Sequence, residues 1–347
     1  MGAGSVIARL SPFRDVAMGP CPDVVHLEDR ARRGTSAGGG AHQRAPVLLA
    51  RVLLALAVVG SHPTGMVGAA APDDPGWFAP DGGSSSRQSR RDALARLPLD
   101  RLAPAQRKQV ETCIRSHTLY RRLPQTEIDC DPALLHFALD KPEVIVDIWR
   151  ALGISQLALD PAGEAQWRLS DGYGTVGVLR LLHAQRQGDG GLLVFHGRGG
   201  YSGPLSPRPL SGGCVILVRH QPLTDAGVTP ARHRLTVDAF VDVDGIGFEL
   251  VTRTLQPLVV RCAAANLREI GLFMETLSTT AIDNPAGIER LAGRLPRTPD
   301  EDRRTLARIA RRAAAAAGTP AAADDADGVP TRLAARWLPP EHATETR

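Results

Sequence analysis

Histidines are the side chains in this sequence with the clearest capacity for chemistry near neutral pH. Facing imidazoles on neighbouring strands come within ~5 Å of each other and can then bind a metal ion. No carboxylate or cysteine stands beside them at ligand spacing, so the alternative is a position at the solvated rim of a sheet. We expect that second arrangement, with neither a metal nor a cofactor bound. The histidines at or near the ends of strand-like segments are His183, His196, His220 and His233.

Acidic residues form a second candidate group. Asp238, Asp242 and Asp244 share one face at the spacing of a strand, and Glu249 follows shortly after them. Carboxylates placed in this way can act as general acids or bases, or can bind calcium. The alternative, which we favour, is that they are solvated on the polar side of an amphipathic strand.

The sequence has no H-E-x-x-H metal motif and no phosphate-binding P-loop. Gly197, Gly199 and Gly200 follow a strand-like segment, but no helical pattern begins after them, which argues against a dinucleotide site. We therefore predict no catalytic residues.

The cysteines do not define a redox or zinc motif, since no C-x-x-C pair is present. The four that follow residue 100 allow three full pairings. Cys113 and Cys130 flank a short polar turn, and a disulfide between them would close a loop of about 17 residues, worth about 3 kcal/mol. Cys214 and Cys262 are expected to be small buried apolar side chains.

The composition describes a chain that can fold but is not specialised for nucleic acid. Of its 347 residues, 43% are hydrophobic and 4% aromatic, and the formal net charge is +4. The apolar fraction supplies a core, whereas the even charge balance and the scarcity of aromatic rings argue against a nucleic-acid partner. Lys108 and Lys141 are the only lysines, and this preponderance of arginine indicates coding bias rather than selection for guanidinium chemistry.

One group of arginines falls close to one face of the last long helical pattern. A capping box at Thr298–Glu301 begins this helix, which we expect to end near Ala317. A basic helix face can make weak contact with an anionic lipid or cell-wall surface. A solvated face is the alternative that we favour. The arginines concerned are Arg304, Arg308, Arg311 and Arg312.

An early part of the chain has the pattern of a targeting segment. Within residues 47–71, Arg51 precedes the apolar run Val52–Gly60, and the segment ends in three alanines. This pattern predicts a secretory signal peptide that is cleaved after Ala71, and export to the periplasm or cell envelope; a short buried helix is the alternative. No apolar run has the length of a membrane-spanning helix, so none is expected in the mature chain.

Composition and periodicity divide the whole chain into seven parts. Residues 1–46 are expected to be a disordered or wrongly assigned extension, 47–71 the signal peptide, 72–90 a flexible linker, 91–140 short helices, 141–280 the main domain, 281–317 a helical extension and 318–347 a disordered tail.

Within the main domain the apolar pattern changes from helical to alternating and back. A helix over Val144–Leu152 precedes short strands joined by tight loops, which favour an antiparallel sheet. His233–Val243 alternates most regularly, which predicts one buried apolar face and one polar face. Phe248–Leu277 then carries an apolar stripe along a helix of about 45 Å. The predicted fold class is therefore α+β, with a curved antiparallel sheet gripping a long C-terminal helix.

This order of elements, over residues ~143–278, resembles the helix-grip fold of the START-like superfamily. The strings at Gly200–Leu205 and Leu255–Leu258 also look like those of uncharacterised exported bacterial proteins. The superfamily resemblance implies a cavity for an apolar ligand between sheet and helix. Because protein interiors are close-packed by default, a filled core is the alternative.

Three functions remain open at this point. The first is a non-catalytic exported domain that binds an apolar or amphipathic small molecule, or a partner, between sheet and helix. The second is an enzyme of cyclase or hydratase type that uses His or Asp groups in the cavity, and the third is a structural envelope protein. The residues expected to line the ligand site are Leu235, Val237, Ala239, Val241, Leu255, Leu258, Val259 and Cys262.

Overall fold

A computed structural model describes residues 83–202, 209–223, 230–244, 248–318 and 328–337, without the side chains of residues 248–259, 261 and 262. The extension and signal peptide predicted before residue 72 lie outside this range, as does most of the predicted linker. Within the described ranges, no helix combines the length and apolar character needed to cross a membrane.

Eight α-helices and eight strands make up the described part of the chain. Several helices begin at proline, whose fixed φ angle and missing N–H suit the first helical position. The helices are α1 (Arg87–Ala95), α2 (Pro104–Ser116), α3 (Pro132–Asp140), α4 (Pro142–Ala151), α5 (Phe248–Asp283), α6 (Pro285–Gly293), α7 (Asp300–Ala317) and α8 (Gly328–Ala334). The strands are β1 (Leu119–Arg122), β2 (Thr126–Asp129), β3 (Ala158–Gly163), β4 (Gln166–Ser170), β5 (Thr175–Gln187), β6 (Gly190–Tyr201), β7 (Leu210–Pro222) and β8 (Arg232–Val243).

The eight strands form one antiparallel sheet, which is curved and does not close into a barrel. The strand order is β1-β8-β7-β6-β5-β4-β3, and β2 pairs with the other half of β8. Strands β5 to β8 are 12 or 13 residues long and form the centre of the sheet. The predicted α+β class with a curved antiparallel sheet is confirmed.

Helices cover both faces of this sheet. On one face, Leu235, Val237, Ala239 and Val241 of β8 join the principal core, to which helices α3 to α8 contribute. On the other face, Phe240 joins a second core with α1 and α2. The expectation of a solvated polar face on β8 is therefore wrong. Alternation within one strand cannot show that distant helices fold over its second face.

The long helix α5 has 36 residues and packs on the sheet through β2. Its described apolar residues Leu267, Phe273 and Leu277 are buried in the principal core. At Gly271 the two elements are in close contact, because an added Cβ atom would lie 3.0 Å from the Ile128 side chain. The first three turns of α5, which carry Leu255, Leu258 and Val259, lie outside the described side chains.

Strands β1 and β2 occur where only short helices were expected. Each has four residues, too few to show an alternating pattern, and each is defined by pairing with β8 more than 100 positions away in sequence. Ion pairs reinforce this pairing: Arg234 contacts Glu127 and Arg232 contacts Asp129, both at 2.8 Å. Long-range pairing of this kind is invisible to local periodicity.

The cysteines do not form the loop-closing disulfide that their spacing allowed. Cys113, Cys130 and Cys214 are free and buried. Cys113 belongs to the second core and Cys130 to the principal core, so the sheet separates them. Cys214 is a small buried side chain, as expected, and the side chain of Cys262 lies outside the described residues.

Two segment boundaries also differ from expectation. Helix α1 begins at Arg87, inside the segment predicted as a linker, where Ser86 caps it by accepting a hydrogen bond from the Ser89 N–H. Helix α8 lies inside the tail predicted to be disordered, and its Val329 and Leu333 are fully buried in the principal core. The prediction of disorder is wrong for residues 328–337. It rested on the polar, alanine-rich composition of the tail, which does not show that Val329 and Leu333 are buried in the core.

Candidate functional site

A groove crosses strands β4 to β7 near one end of the sheet. Its volume is about 490 Å³, including the space that opens to solvent. Its lining includes the apolar residues Val176, Val178 and Leu179. We call it the glycine groove because its lining also contains Gly177, Gly197, Gly199, Gly200, Gly212 and Gly213.

The pairing register aligns three of these glycines across neighbouring strands. Gly177 pairs with Gly199, and Gly199 pairs with Gly212. A Cβ atom at Gly199 would lie 2.5 Å from the carbonyl oxygen of Val176, and one at Gly212 would lie 2.5 Å from that of Asp242. Close approach of the neighbouring strands therefore requires glycine at these positions. The lining of the groove at this row is backbone rather than side chain.

A tightly bonded turn leads into the glycine groove. Asp171 accepts hydrogen bonds from the backbone N–H groups of Tyr173 (2.8 Å) and Thr175 (2.9 Å), and from the Thr175 hydroxyl at 2.6 Å. Thr175 lines the groove, and the nearby Tyr173 and Val176 are large apolar residues that remain exposed. Exposed apolar side chains beside an apolar groove favour contact with an apolar or amphipathic molecule.

The polar side chains of the groove suit binding better than reaction. Burial raises the pKa of the Cys214 thiol to about 11, so this thiol stays protonated at neutral pH and is a poor nucleophile. Arg198 is largely exposed and donates a hydrogen bond to Asp244 at 2.9 Å. Its guanidinium supplies positive charge at the solvent side of the groove.

The structure places only part of the predicted ligand site. Leu235, Val237, Ala239 and Val241 are buried in the principal core, and Val241 pairs with Cys214 of the glycine groove. The side chains of the other predicted lining residues, Leu255, Leu258, Val259 and Cys262, lie outside the described part. Sequence reasoning missed the groove itself, although the glycines of residues 197–200 and 212–213 were its visible signal.

Two of the four histidines that were expected at a solvated rim are instead buried. His220 and His233 are 2% and 0% exposed, so the rim expectation is wrong for them. They lie close to His136 of α3, whose ring centroid is 5.2 Å from that of His220. We call His136, His220 and His233 the histidine cluster. His183 and His196 are half-buried.

The histidine cluster is held in its neutral form. Burial, together with repulsion from His136 and His233, lowers the pKa of His220 to about 4. Burial also lowers the pKa of His136 and of His233. Across residues with described side chains, no group of three or more His, Cys, Asp or Glu is arranged to hold a metal ion.

Among the acidic candidates whose side chains are described, Asp238 is the one that the fold buries completely. It accepts hydrogen bonds from the Tyr120 hydroxyl (2.7 Å), Arg122 Nε (2.7 Å) and Arg219 Nη2 (2.8 Å). Arg122 also contacts Asp92 of α1 at 2.7 Å. The expectation of a solvated carboxylate is wrong here, because α1 closes over this part of β8. Because Arg122 bridges Asp92 of α1 and Asp238 of β8, the network fixes α1 to the sheet.

The remaining acidic candidates lie near the surface. Asp242 accepts a hydrogen bond from Ser116 at 2.6 Å, and Asp244 accepts one from Ser211 at 2.7 Å. The side chain of Glu249 lies outside the described residues. Asp238, Asp242 and Asp244 therefore have separate partners and do not converge on one site.

The described residues thus define an α+β protein with a curved antiparallel sheet and a glycine-lined groove. No protein-family model matches the chain, and no curated protein matches it. A solved structure of an uncharacterised protein from Rhizobium leguminosarum is similar over 44% of this chain and 96% of its own, with 12% sequence identity and a TM-score of 0.26. At this TM-score the likeness carries no argument about function.

Proposed function

We propose that this protein is a non-catalytic exported domain that binds an apolar or amphipathic small molecule in the glycine groove. The observation that carries this proposal is the aligned row of Gly177, Gly199 and Gly212, which leaves a backbone-lined depression flanked by apolar side chains. The lining of the groove is mostly apolar with a few polar groups, which is the composition typical of small-molecule pockets.

The polar groups of the groove support an amphipathic ligand. An apolar chain would lie against Val176 and Val178, and Arg198, which pairs with Val178, would face an anionic head group from the solvent side. The enzyme alternative, of cyclase or hydratase type, needs titratable side chains that converge on the ligand. His220, His233 and Asp238, the most strongly buried of the described polar candidates, are not among the lining residues.

Export and superfamily membership complete the proposal. Export is supported by the charged flank, apolar run and alanine-rich cleavage site of residues 47–71. A helix-grip relationship is supported by the element order, since strands joined in succession precede one long helix. Amino-terminal sequencing of the secreted or periplasmic product tests the prediction of export. We expect a mature chain that begins at Pro72. A chain that begins upstream of residue 47 would contradict the prediction.

Changing Val176 to aspartate tests the ligand site. Val176 is 46% exposed, so Val176→Asp should fold normally while it places a charge against the apolar part of a ligand. We expect the Kd of a dansyl-labelled undecanoic acid, measured by fluorescence titration, to rise at least about tenfold, or 1.4 kcal/mol.

Leu223 offers a matched control because it is 38% exposed and lies after the opposite end of β7. Leu223→Asp should leave the Kd of the same probe unchanged. Equal weakening by both substitutions, or no binding of the probe to the wild-type protein, would contradict the groove as a ligand site. The second result would favour the structural envelope role.

We also propose that the arginine face of α7 makes a weak contact with an anionic surface. Arg304, Arg308, Arg311 and Arg312 are exposed and lie within an arc of about 100° around the helix. Arg311 contacts Glu289 of α6 at 3.4 Å, while the opposite side of α7 is buried in the principal core. The helix can therefore contact an anionic surface by charge alone, without inserting into it.

Co-sedimentation with vesicles tests this contact. Each arginine near an anionic bilayer contributes about 1 kcal/mol, so reversing Arg304, Arg308 and Arg312 to glutamate should weaken binding to phosphatidylglycerol-containing vesicles more than tenfold, that is, by roughly 1.4 kcal/mol or more. Reversal of three exposed arginines on α1, Arg87, Arg90 and Arg91, is the control. An equal loss in both triple variants would show that only net charge matters and that α7 is not the docking face.

A further inference from the structure

We propose that protonation of the histidine cluster at acidic pH releases helix α3 from the sheet. His136 lies on α3, His220 on β7 and His233 at the start of β8. The three imidazoles therefore join the helix to the sheet at a point where both strands end. Protonation at this point would separate α3 from the sheet.

The geometry leaves the imidazoles without the partners that their charged forms need. His136 Nε2, His220 Nδ1 and both ring nitrogens of His233 are buried and make no hydrogen bond within the described structure. An imidazolium has two N–H donors, and both require acceptors when buried. Packing is tight as well, because a Cβ atom at Gly191 would lie 2.6 Å from His220 Nε2. Backbone groups of Asp189 and Cys130 lie near the imidazoles and favour their charged forms, but they do not supply acceptors for all the N–H groups of three protonated imidazoles while α3 stays packed.

Some charged groups around the cluster oppose protonation of its imidazoles, and others favour it. Arg186, at the end of β5, opposes protonation of His136 and His220, and it also pairs with Asp140 of α3. Asp189, in the turn after β5, and Asp131, just before α3, favour the charged form of His136 and His233. On β8, Arg232 and Arg234 are paired with carboxylates of β2. Burial outweighs the two nearby carboxylates, since all three pKa values are lowered.

Helix α3 is short enough to move as one piece. It has nine residues. Its attachments include the N–H of Asp131, which donates to Ser278 Oγ at 2.8 Å, the Arg186–Asp140 ion pair and three buried side chains. Those side chains are Leu134, Leu135 and Phe137. Release of α3 would expose them, and so acid would uncover an apolar surface that is hidden at neutral pH.

The direction of the pH effect follows from the shift of the imidazole pKa. Because the packed state holds these pKa values below the ordinary 6.5, the released state binds more protons, and packing of α3 weakens as the pH falls below about 6.5. With a pKa of about 4 for His220 in the packed state, its protonation alone favours release by at most about 30-fold at pH 5.

Hydrogen exchange of the full chain, followed by mass spectrometry at pH 7.5 and pH 5.0 and corrected for intrinsic exchange, tests the release. In the wild-type protein we expect the opening equilibrium of peptide 132–140 to rise at least about tenfold on acidification. In His220→Gln the rise should fall below about threefold, because glutamine does not titrate. In His136→Gln, where His220 still titrates, the rise should be smaller than in the wild type. His136 is only half-buried, so His136→Gln should fold even if His220→Gln does not.

His183→Gln is the matched control, since His183 is half-buried on β5, also has an unpartnered Nε2, and lies outside the cluster. It should keep the wild-type pH response. Constant protection of 132–140 in the wild type, full pH dependence in His136→Gln, or equal loss of protection along the whole chain at pH 5.0 would each overturn the proposal.

Discussion

Replacing Asp238 by asparagine should lower the free energy of unfolding by about 3–5 kcal/mol, because removal of one partner of a buried ion pair leaves the other charge uncompensated. In this protein two cations would lose their carboxylate, since Arg122 and Arg219 both donate to Asp238. Arg122 keeps a contact with Asp92, whereas Arg219 is 3.7 Å from that residue. Urea denaturation monitored by circular dichroism measures the loss.

Asp242→Asn is the control for this experiment. Asp242 lies on the same strand, is only partly buried, and accepts a hydrogen bond from Ser116. Its substitution should cost no more than about 1 kcal/mol. If Asp238→Asn were as mild as Asp242→Asn, the charge network could not be what fixes α1 to the sheet.

Replacing Gly199 by alanine is the second substitution with a large expected effect. The new methyl group would lie 2.5 Å from the Val176 carbonyl oxygen and 3.0 Å from the Gly177 Cα atom. Both are backbone atoms, so strands β5 and β6 would have to separate rather than a side chain rotate. We expect a loss of about 3 kcal/mol, at the upper end of the cost of overpacking, measured by the same urea denaturation.

Gly213→Ala is the matched control because it changes the same residue type in the same groove. A Cβ atom at Gly213 would lie 3.5 Å from the Gly197 carbonyl oxygen, which is an ordinary contact. Alanine also reduces the freedom of the unfolded chain, so this variant should be neutral or stabilising by up to about 1 kcal/mol. Equal costs for the two substitutions would mean that the close strand approach at Gly199 is not what requires glycine.

These two pairs of variants also separate stability from ligand binding. Asp238 lies outside the glycine groove, so Asp238→Asn should leave the Kd of a bound apolar probe unchanged at temperatures where the protein is folded. Gly199→Ala distorts the groove itself and should weaken both stability and binding. A variant that lost binding without losing stability, such as Val176→Asp, therefore identifies the ligand contact more directly than any glycine substitution.

Local patterns in the sequence determined the elements of the main domain. The period of two predicted the long strands, and the change to a helical period after Gly245 predicted α5. Tight hairpin loops, such as that at Gln187–Gly190, also predicted antiparallel pairing. These features depend on residues a few positions apart, so they can be read without knowledge of the fold.

The candidate sites were decided by contacts between residues far apart in sequence. Asp238 is buried only because α1 and α2 fold over a strand face that looks solvated by its own alternation. His220 meets His136 across 84 positions, and three glycines of the groove align only once β5, β6 and β7 adopt their register. Burial and proximity depend on tertiary packing, which local periodicity does not contain; the sequence therefore determined the strands and helices, while the tertiary structure alone determined the environment of these charged and polar groups.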